Sequence, residues 1–239
     1  MSSITKNRPK TKEPQYGVVF DVIKKHGTAK LGLMINTSWN QDPRRALFTL
    51  SRYKFVAKML SGKKKVLEIG CADAFGTRVV QQEIGSITAI DFDRVFIADV
   101  KKRMDTAWPL KCFVHDILSG PVKGGPYNGI YSLDVLEHIA PSKETLFMNN
   151  VLRSLDSNGT LILGMPSLES QALASPQSKI GHVNCKSGKK FKDFLDKYFH
   201  NVFMFSMNDE VVHTGHYAMA HYLLAICCGK RKGSADTHG

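Results

Sequence analysis

Between residues 63 and 229, short apolar runs alternate with segments of helical periodicity, and this alternation constrains the fold more than any other feature. Five apolar runs predict strands at Val66–Ile69, Ile87–Ile90, Cys112–Val114, Gly129–Leu133 and Thr160–Leu163. Helices are predicted at Arg44–Leu60, Thr77–Glu83, Phe96–Met104, Ser142–Leu155 and Phe191–Tyr198. Because such alternation produces right-handed crossovers, we expect an α/β fold with a mostly parallel sheet and helices on both faces. Late strands near Val202–Met207 and Met219–Cys227 would complete a seven-stranded sheet with an antiparallel late strand.

The length of 239 residues predicts one domain with short additions at its ends. Residues 1–15 are basic and contain no apolar stretch, which predicts a disordered leader. Residues 16–62 would form a helical N-terminal segment that folds over the main domain as a lid. Residues 63–229 would form the main domain, and residues 230–239 a flexible tail.

The charge of the chain is strongly positive, with 33 lysine and arginine residues against 21 acidic ones and a net charge of +12. More than half of this excess lies near the two termini. A basic field can attract an anionic substrate or a nucleic acid. No nucleic-acid-binding motif accompanies the charge, so we interpret it as a solubilising surface and do not expect a nucleic-acid partner.

Several protein classes are excluded by what the sequence contains. No uncharged apolar run approaches the ~18–20 residues of a membrane span, and the start has no apolar stretch typical of a secretory signal. The five cysteines include no Cys-x-x-Cys pair, which argues against a disulfide framework and a zinc site. We therefore expect a cytoplasmic protein that makes no membrane contact.

The loop after the first predicted strand runs from Gly70 to Gly76, and the next strand ends at Asp91. Ligands of open α/β sheets bind at the carboxyl ends of the strands, where a carboxylate can accept both hydroxyls of a ribose. A dinucleotide would require the pattern Gly-x-Gly-x-x-Gly. This loop has Ala72 and the bulky Phe75 at the second and third glycine positions, so the pattern favours a nucleoside cofactor whose pocket holds no phosphate.

Four stretches resemble, in order, the motifs of the class I S-adenosylmethionine-dependent methyltransferases. They are Glu68-x-Gly70-x-Ala72-x-Ala74-x-Gly76, Ala89-Ile90-Asp91-Phe92-Asp93, Val114-His115-Asp116-Ile117 and Ser132-Leu133-Asp134-Val135-Leu136-Glu137-His138-Ile139. The pattern is closest to that of the small-molecule, ubiquinone-type O-methyltransferases. The class I methyltransferases usually have glycine where Ala72 and Ala74 stand, and alanine disfavours a positive φ. The resemblance covers about Lys63 to Leu163 and implies a Rossmann-like fold with S-adenosylmethionine as methyl donor.

The resemblance also implies which residues contact the donor. The first motif would contribute Glu68, Gly70, Cys71, Ala72 and Gly76, the second Asp91 and Phe92, the third His115, Asp116 and Ile117, and the fourth Leu133. Arg52, on the helix before the sheet, could pair with the methionine carboxylate through two parallel hydrogen bonds.

Two histidines are candidate catalytic residues. His182 lies in the long connection Met165–Asn184, which has no clear periodicity and leaves the carboxyl end of a strand, so it could act as a general base. His138 stands in the run Asp134-x-x-Glu137-His138, which the resemblance associates with a divalent metal in some relatives and with helix capping in others. We expect no metal ligand here, although a divalent metal stays open. The Asn208–His216 stretch, with two acids and two histidines, is a further candidate for acceptor contacts.

Taken together, these patterns predict a methyltransferase that acts on an oxygen of a small molecule or a glycan precursor, with a histidine as general base. Methylation of RNA or another macromolecule is the alternative, as is an inactive donor-binding subunit. A homodimer is left open.

Overall fold

The computed structural model describes residue 9 and residues 11–231. Its strands are β1 (Val66–Ile69), β2 (Ile87–Asp91), β3 (Lys111–Val114), β4 (Tyr127–Leu133), β5 (Leu155–Pro166), β6 (Phe199–Asn208), β7 (Val211–His213) and β8 (Tyr222–Lys230). They form one eight-stranded sheet in the order β3-β2-β1-β4-β5-β8-β6-β7. Parallel pairing joins β3, β2, β1, β4 and β5, whereas β8 runs antiparallel to both β5 and β6. The expected mostly parallel α/β fold is confirmed.

The expected number of seven strands was too low by one. The additional strand, β7, has three residues and pairs antiparallel with the end of β6. It follows a tight turn in which Asp209 adopts a φ of 50°. So short a strand among acidic residues and histidines carries no apolar run from which it could be predicted.

The α-helices are α1 (Val18–His26), α2 (Leu33–Gln41), α3 (Arg44–Met59), α4 (Thr77–Gln81), α5 (Arg94–Arg103), α6 (Glu144–Ser154), α7 (Pro176–Gly181) and α8 (Gly188–Leu195). The helices predicted from periodicity are present, with ends displaced by a few residues. Helix α7 was not foreseen, and within residues 16–62, which we expected to be helical, the bounds of α1 and α2 were not predicted. Helix α1 buries no residue and α2 buries only Ile35, so neither helix packs its apolar residues into the core of the described structure.

Successive residues of the central strands face opposite layers of the core. On β4, Ile130 packs in the cluster that contains Phe147 of α6 and Phe191 of α8. The next residue, Tyr131, packs with Tyr53 of α3 in a second cluster. Helices therefore cover both faces of the sheet, as expected, and α3 belongs to the same core as the strands.

The two chain ends differ in part from expectation. Of the leader predicted to be disordered, residues 1–8 and 10 lie outside the described residues, but Pro14–Gly17 forms a 3-10 turn. In the predicted flexible tail, Lys230 completes β8 and the Arg231 Nε donates to the backbone oxygens of Asp196 and Phe199. Residues 232–239 of that tail are not described. None of the helices in the described part of the chain is long and apolar enough to cross a membrane.

The connection after β5 is more ordered than its sequence indicated. It contains a 3-10 helix at Glu169–Leu173 and the short helix α7. The side chain of Ser175 starts α7 by accepting a hydrogen bond from the backbone N–H of Ser178. Because β5 lies beside β4, this segment stands over the carboxyl end of the central strands.

Candidate active site at the carboxyl ends of the strands

The loop after β1, residues 70–76, forms the tight turn despite its alanines. Ala72 and Ala74 adopt φ values of 44° and 51°, in the left-handed region that costs an L-residue about 1–2 kcal/mol. Gly70 has a φ of 79°, and a Cβ at this position would collide with the side chain of Val135. The loop thus adopts, at two alanines, backbone angles that glycine usually occupies. It also lies directly against the segment after β4, which contains Val135.

Asp91 connects the ends of β1 and β2. Its Oδ2 accepts a hydrogen bond from the Ala72 backbone N–H at 2.9 Å, and its Oδ1 accepts from the Asp93 N–H at 2.8 Å. Beside it, the ring of Phe92 is 75% exposed. A buried carboxylate next to an exposed aromatic ring matches the expected binding of a ribose and its base, which stays a prediction.

The third motif forms a turn that its own side chains hold. The Asp116 Oδ1 accepts from the Leu118 N–H and caps the 3-10 helix Ile117–Ser119. The His115 Nε2 donates to the Gly120 backbone oxygen at 3.0 Å, and Ile117 is buried. The expected adenine contacts of these residues are a prediction, as is the contact expected from Leu133, which is buried at the end of β4.

Glu68 lies inside the protein and bonds two hydroxyl groups of the chain. Its Oε1 accepts from the Tyr53 hydroxyl at 2.9 Å and its Oε2 from the Thr77 hydroxyl at 2.5 Å. Burial raises the pKa of Glu68 to about 7, although hydrogen bonds from its neighbours oppose the shift. The carboxylate thus connects α3 to α4 beneath the loop. The neighbouring Cys71 is buried, and burial raises the pKa of its thiol.

Helix α2 begins against the same loop. The Asp73 Oδ2 accepts from the Ile35 backbone N–H at 2.9 Å, while its Oδ1 accepts from the Phe75 N–H at 3.1 Å. There is no space for a side chain at Gly32, where a Cβ would collide with Asp73. The N-terminal segment therefore contacts the loop where we expected a lid.

Arg52 has a different partner in the structure from the one expected. Its Nη1 donates to Oδ2 and Oδ1 of Asp134 at 2.8 and 3.1 Å, and its guanidinium carbon lies 3.7 Å from the centre of the Tyr222 ring. No sequence pattern indicated this pair, because residues 52 and 134 meet only where α3 crosses the end of β4.

A carboxylate and two imidazoles come together above the ends of β4 and β5. Ligand atoms of Glu137, His138 and His182 all lie within 4.8 Å of one another. Within the described chain, neither carboxylate oxygen of Glu137 has a hydrogen-bond partner, although the residue is fully buried. Burial, together with the charge of Asp134, raises the pKa of Glu137 well above its usual range. An unpartnered buried carboxylate is costly unless a proton or a cation neutralises it.

The two imidazoles are held in one tautomer. The His138 Nδ1 lies 2.9 Å from the Gly181 backbone oxygen, and the His182 Nδ1 lies 2.7 Å from the Gln171 Oε1. Because both partners are acceptors, each Nδ1 carries the proton and each Nε2 keeps its lone pair. Burial and the neighbouring His138 lower the pKa of His182, which favours the neutral ring. This is the arrangement typical of histidines that bind a metal.

Backbone hydrogen bonds hold this three-residue cluster together. The backbone carbonyl oxygen of Glu137 accepts hydrogen bonds from the backbone N–H groups of Val183 and Asn184 at 2.8 and 3.0 Å. They attach the long connection to the short 3-10 helix Leu136–His138. The sequence identified both histidines and the run Asp134-x-x-Glu137-His138, but not that His182 joins Glu137 and His138, because residues 137 and 182 are distant in the chain.

Two histidines of the Asn208–His216 stretch make contacts within the hairpin, while the acceptor contacts expected of this stretch stay a prediction. The His213 Nε2 lies 2.9 Å from the Asn208 Oδ1, and its Nδ1 accepts from the Gly215 N–H at 2.9 Å. His216 stacks on Tyr217 with ring centres 5.9 Å apart. Both nitrogens of His213 are therefore engaged by the chain itself.

Comparison with known proteins gives a family match over part of the chain and several structures of similar fold. Residues 66–159 match the model of the family described as a methyltransferase domain. None of the curated proteins matches the chain. The N-methyltransferase NodS from Bradyrhizobium japonicum WM9, in complex with S-adenosyl-L-homocysteine, has a similar structure, with 19% identity, a TM-score of 0.57 and coverage of 80% of this chain and 91% of that one.

Two further structures are similar at low sequence identity. A TehB-like SAM-dependent methyltransferase from Corynebacterium glutamicum ATCC 13032 Kitasato is 17% identical, with a TM-score of 0.57 and coverage of 82% of this chain and 97% of that one. The small RNA methyltransferase HEN1 is 14% identical, with a TM-score of 0.63 and coverage of 77% of this chain but 26% of that one. At such identities the similarity is one of fold.

Proposed function

We propose that this chain, which contains a class I S-adenosylmethionine-dependent methyltransferase domain, transfers a methyl group to a hydroxyl oxygen with the help of a divalent cation. Glu137, His138 and His182 would hold the cation. The observation that carries the proposal is the buried Glu137 carboxylate without a hydrogen-bond partner in the described structure, with two histidine ligand atoms within 4.8 Å. The proposal revises our expectation that His182 is a general base and that no residue binds metal.

The donor set fits a divalent first-row metal. A carboxylate and two neutral imidazoles suit Mn²⁺, Fe²⁺ or Zn²⁺. When bound, such an ion polarises an acceptor hydroxyl as a Lewis acid and lowers its pKa. Gln171 and the Gly181 carbonyl would keep both rings in the tautomer that leaves Nε2 available. His138 is exposed, so an ion and an acceptor could reach the cluster from solvent.

The remaining residues would bind and orient S-adenosylmethionine. Asp91 would accept the ribose hydroxyls, while Phe92 and Ile117 would cover the adenine. The loop 70–76 would place the sulfonium at the end of β4, beside the Glu137–His138 turn. Methyl transfer depends chiefly on such positioning of donor and acceptor. Glu68 would support the loop from below rather than contact the donor.

The acceptor we favour is a hydroxyl of a small molecule or a glycan precursor. RNA is a second candidate, supported by the net charge of +12 and by the structural similarity to the small RNA methyltransferase HEN1. A ribose hydroxyl and a sugar hydroxyl present the same atom to the cation, so the two acceptors differ in the surface that recognises them.

A methyl-transfer assay tests the proposal. Protein treated with a chelator and then dialysed is incubated with methyl-labelled S-adenosylmethionine, with or without Mn²⁺, and with hydroxylated small molecules, glycans or RNA. We expect transfer only with Mn²⁺, and a loss of at least 10²-fold in the Glu137→Gln variant. The matched control is Glu169→Gln, an exposed acid in the segment after β5.

Three outcomes would contradict the proposal in different ways. Activity that survives the chelator and Glu137→Gln but is lost in His182→Ala would restore the general-base mechanism. Metal-dependent transfer to nitrogen acceptors alone would refute O-methylation. Binding of S-adenosylhomocysteine without turnover on any acceptor would favour the inactive binding subunit.

A further inference from the structure

We propose that Arg52 is a positioning residue: together with Tyr222 it holds the turn from Asp134 to His138, and it does not bind the methionine carboxylate of the donor. The inference rests on the proposed function, because that turn carries two of the three suggested metal ligands. It also replaces the donor contact that the sequence predicted for Arg52.

In the ion pair between Arg52 and Asp134, the arginine is shielded from solvent, whereas the Asp134 side chain is 39% exposed. The Arg52 Nη1 donates to both carboxylate oxygens, and its side chain is only 15% exposed. Within the described structure its Nε is buried and has no hydrogen-bond partner. Arg52 therefore cannot turn toward another carboxylate without leaving Asp134 unpaired.

Tyr222 fixes the plane of the guanidinium. The ring is fully buried, with its centre 3.7 Å from the guanidinium carbon, a distance typical of cation–π stacking. The ring itself is confined, because a Cβ at Gly164 would lie 2.7 Å from the Tyr222 hydroxyl oxygen. Gly164 of β5 thus leaves the space that the Tyr222 ring occupies, and the Tyr222 ring in turn positions the Arg52 guanidinium.

Asp134 needs this support because of its backbone. Its φ is 56°, in the left-handed region, and its N–H donates to the Gly164 oxygen at 3.0 Å. The chain turns at this residue from β4 into the segment that ends in Glu137 and His138. An ion pair on the Asp134 side chain holds the start of the turn, three residues before the buried Glu137.

Arg52 also balances the charge of one of the two carboxylates on this turn. Asp134 and Glu137 lie on the same turn, and the Arg52 guanidinium balances the carboxylate of Asp134. Without it, Asp134 would lose the partner that holds the start of the turn, and Glu137 and His138 would be positioned less precisely for the suggested cation.

Three measurements on Arg52→Gln and Asp134→Asn test the inference. Calorimetry gives the affinity for S-adenosylhomocysteine and for methylthioadenosine, which lacks the amino-acid group. Titration with Mn²⁺ gives metal affinity. We expect both variants to weaken Mn²⁺ binding roughly 10-fold, with the double variant no weaker than either single one. The ratio of the two nucleoside affinities should stay within about twofold of the unchanged protein.

Arg45→Gln is the matched control, since Arg45 lies exposed on the same helix, and it should change none of these values. A fall of roughly 10-fold or more in the affinity for S-adenosylhomocysteine but not for methylthioadenosine in Arg52→Gln would overturn the inference. If Arg52→Gln does not fold, the ratio of the two nucleoside affinities in Asp134→Asn decides. An increase in the preference for S-adenosylhomocysteine would show that the released Arg52 binds the donor carboxylate.

Failure of the proposed function gives a different result. If the unchanged protein binds no Mn²⁺, the metal mechanism is refuted, and the ratio of the nucleoside affinities still judges the role of Arg52. An unchanged ratio would then support Arg52 as a positioning residue for the turn, and a lower one would refute it.

Discussion

The His138 Nδ1 lies 2.9 Å from the backbone oxygen of Gly181, so a residue beside β4 is oriented by the segment that follows β5. Gly181 immediately precedes His182, which means that the contact brings the second imidazole to the first. The two ring centres are 5.2 Å apart. Tautomer and position of both histidines are thus set by the connection after β5.

The Gln171 side chain should affect metal binding without touching the metal. In Gln171→Leu the His182 Nδ1 loses its acceptor, so the ring can rotate or change tautomer. We expect Mn²⁺ affinity to fall roughly 10-fold, as is typical when a group that orients a ligand is removed. Titration of Mn²⁺ checks this, with Gln15→Leu as control. An unchanged affinity would show that Gln171 does not orient His182.

Two glycines with the same backbone angle should respond differently to alanine. Gly62 and Gly70 have φ values of 78° and 79°, but a Cβ at Gly62 meets nothing within 4 Å, whereas one at Gly70 collides with Val135. Gly62→Ala should cost about 1–2 kcal/mol of unfolding free energy, and Gly70→Ala more. Denaturant unfolding measures both. If shortening Val135 in Gly70→Ala/Val135→Ala restores no stability, the steric explanation is wrong.

Glu68 should make stability depend on pH. Burial raises its pKa in the folded state from the ordinary value of 4.5 to about 7, so folding favours the protonated acid. Its contribution is complete below about pH 4.5 and is lost as pH rises toward 7, by about 3 kcal/mol. The stability of the unchanged protein relative to Glu68→Gln should decline over that range. A flat difference would show that Glu68 keeps an ordinary pKa.

His213 should contribute to stability and not to catalysis. Both of its ring nitrogens are bound within the hairpin, so His213→Ala should lower the unfolding free energy by about 1 kcal/mol. Mn²⁺ affinity and methyl transfer should stay unchanged. A loss of turnover in a normally folded variant would place the hairpin in the acceptor site.

The sequence predicted the parallel strands well because most of them, such as β1, β2 and β4, are buried on both faces and read as apolar runs. It could not predict β7, α7 or the bounds of α1 and α2, all of which bury little apolar area. His138 and His182 were recognised as candidates from their motifs and from the long connection. The approach of His182 to Glu137 and His138, and the pairing of Arg52 with Asp134, depend on contacts between residues more than 40 positions apart.

The alanines of the first loop show another limit of the sequence. Ala72 and Ala74 differ from the glycines usual in the family, which put the turn in doubt. The structure nevertheless places both at positive φ. Hydrogen bonds from the loop to Asp91, and within it to Asp73, hold the conformation at these positions. Such compensation comes from distant residues and leaves no local pattern.

The central claim is that Glu137, His138 and His182 form a metal site, and electron paramagnetic resonance of added Mn²⁺ tests it directly. Free Mn²⁺ gives a strong signal in solution that weakens when the ion binds protein. We predict one bound Mn²⁺ per chain, and none in Glu137→Gln, with Glu169→Gln binding as the unchanged protein does. Equal binding by the unchanged protein and Glu137→Gln, or no binding by the unchanged protein, would contradict the claim.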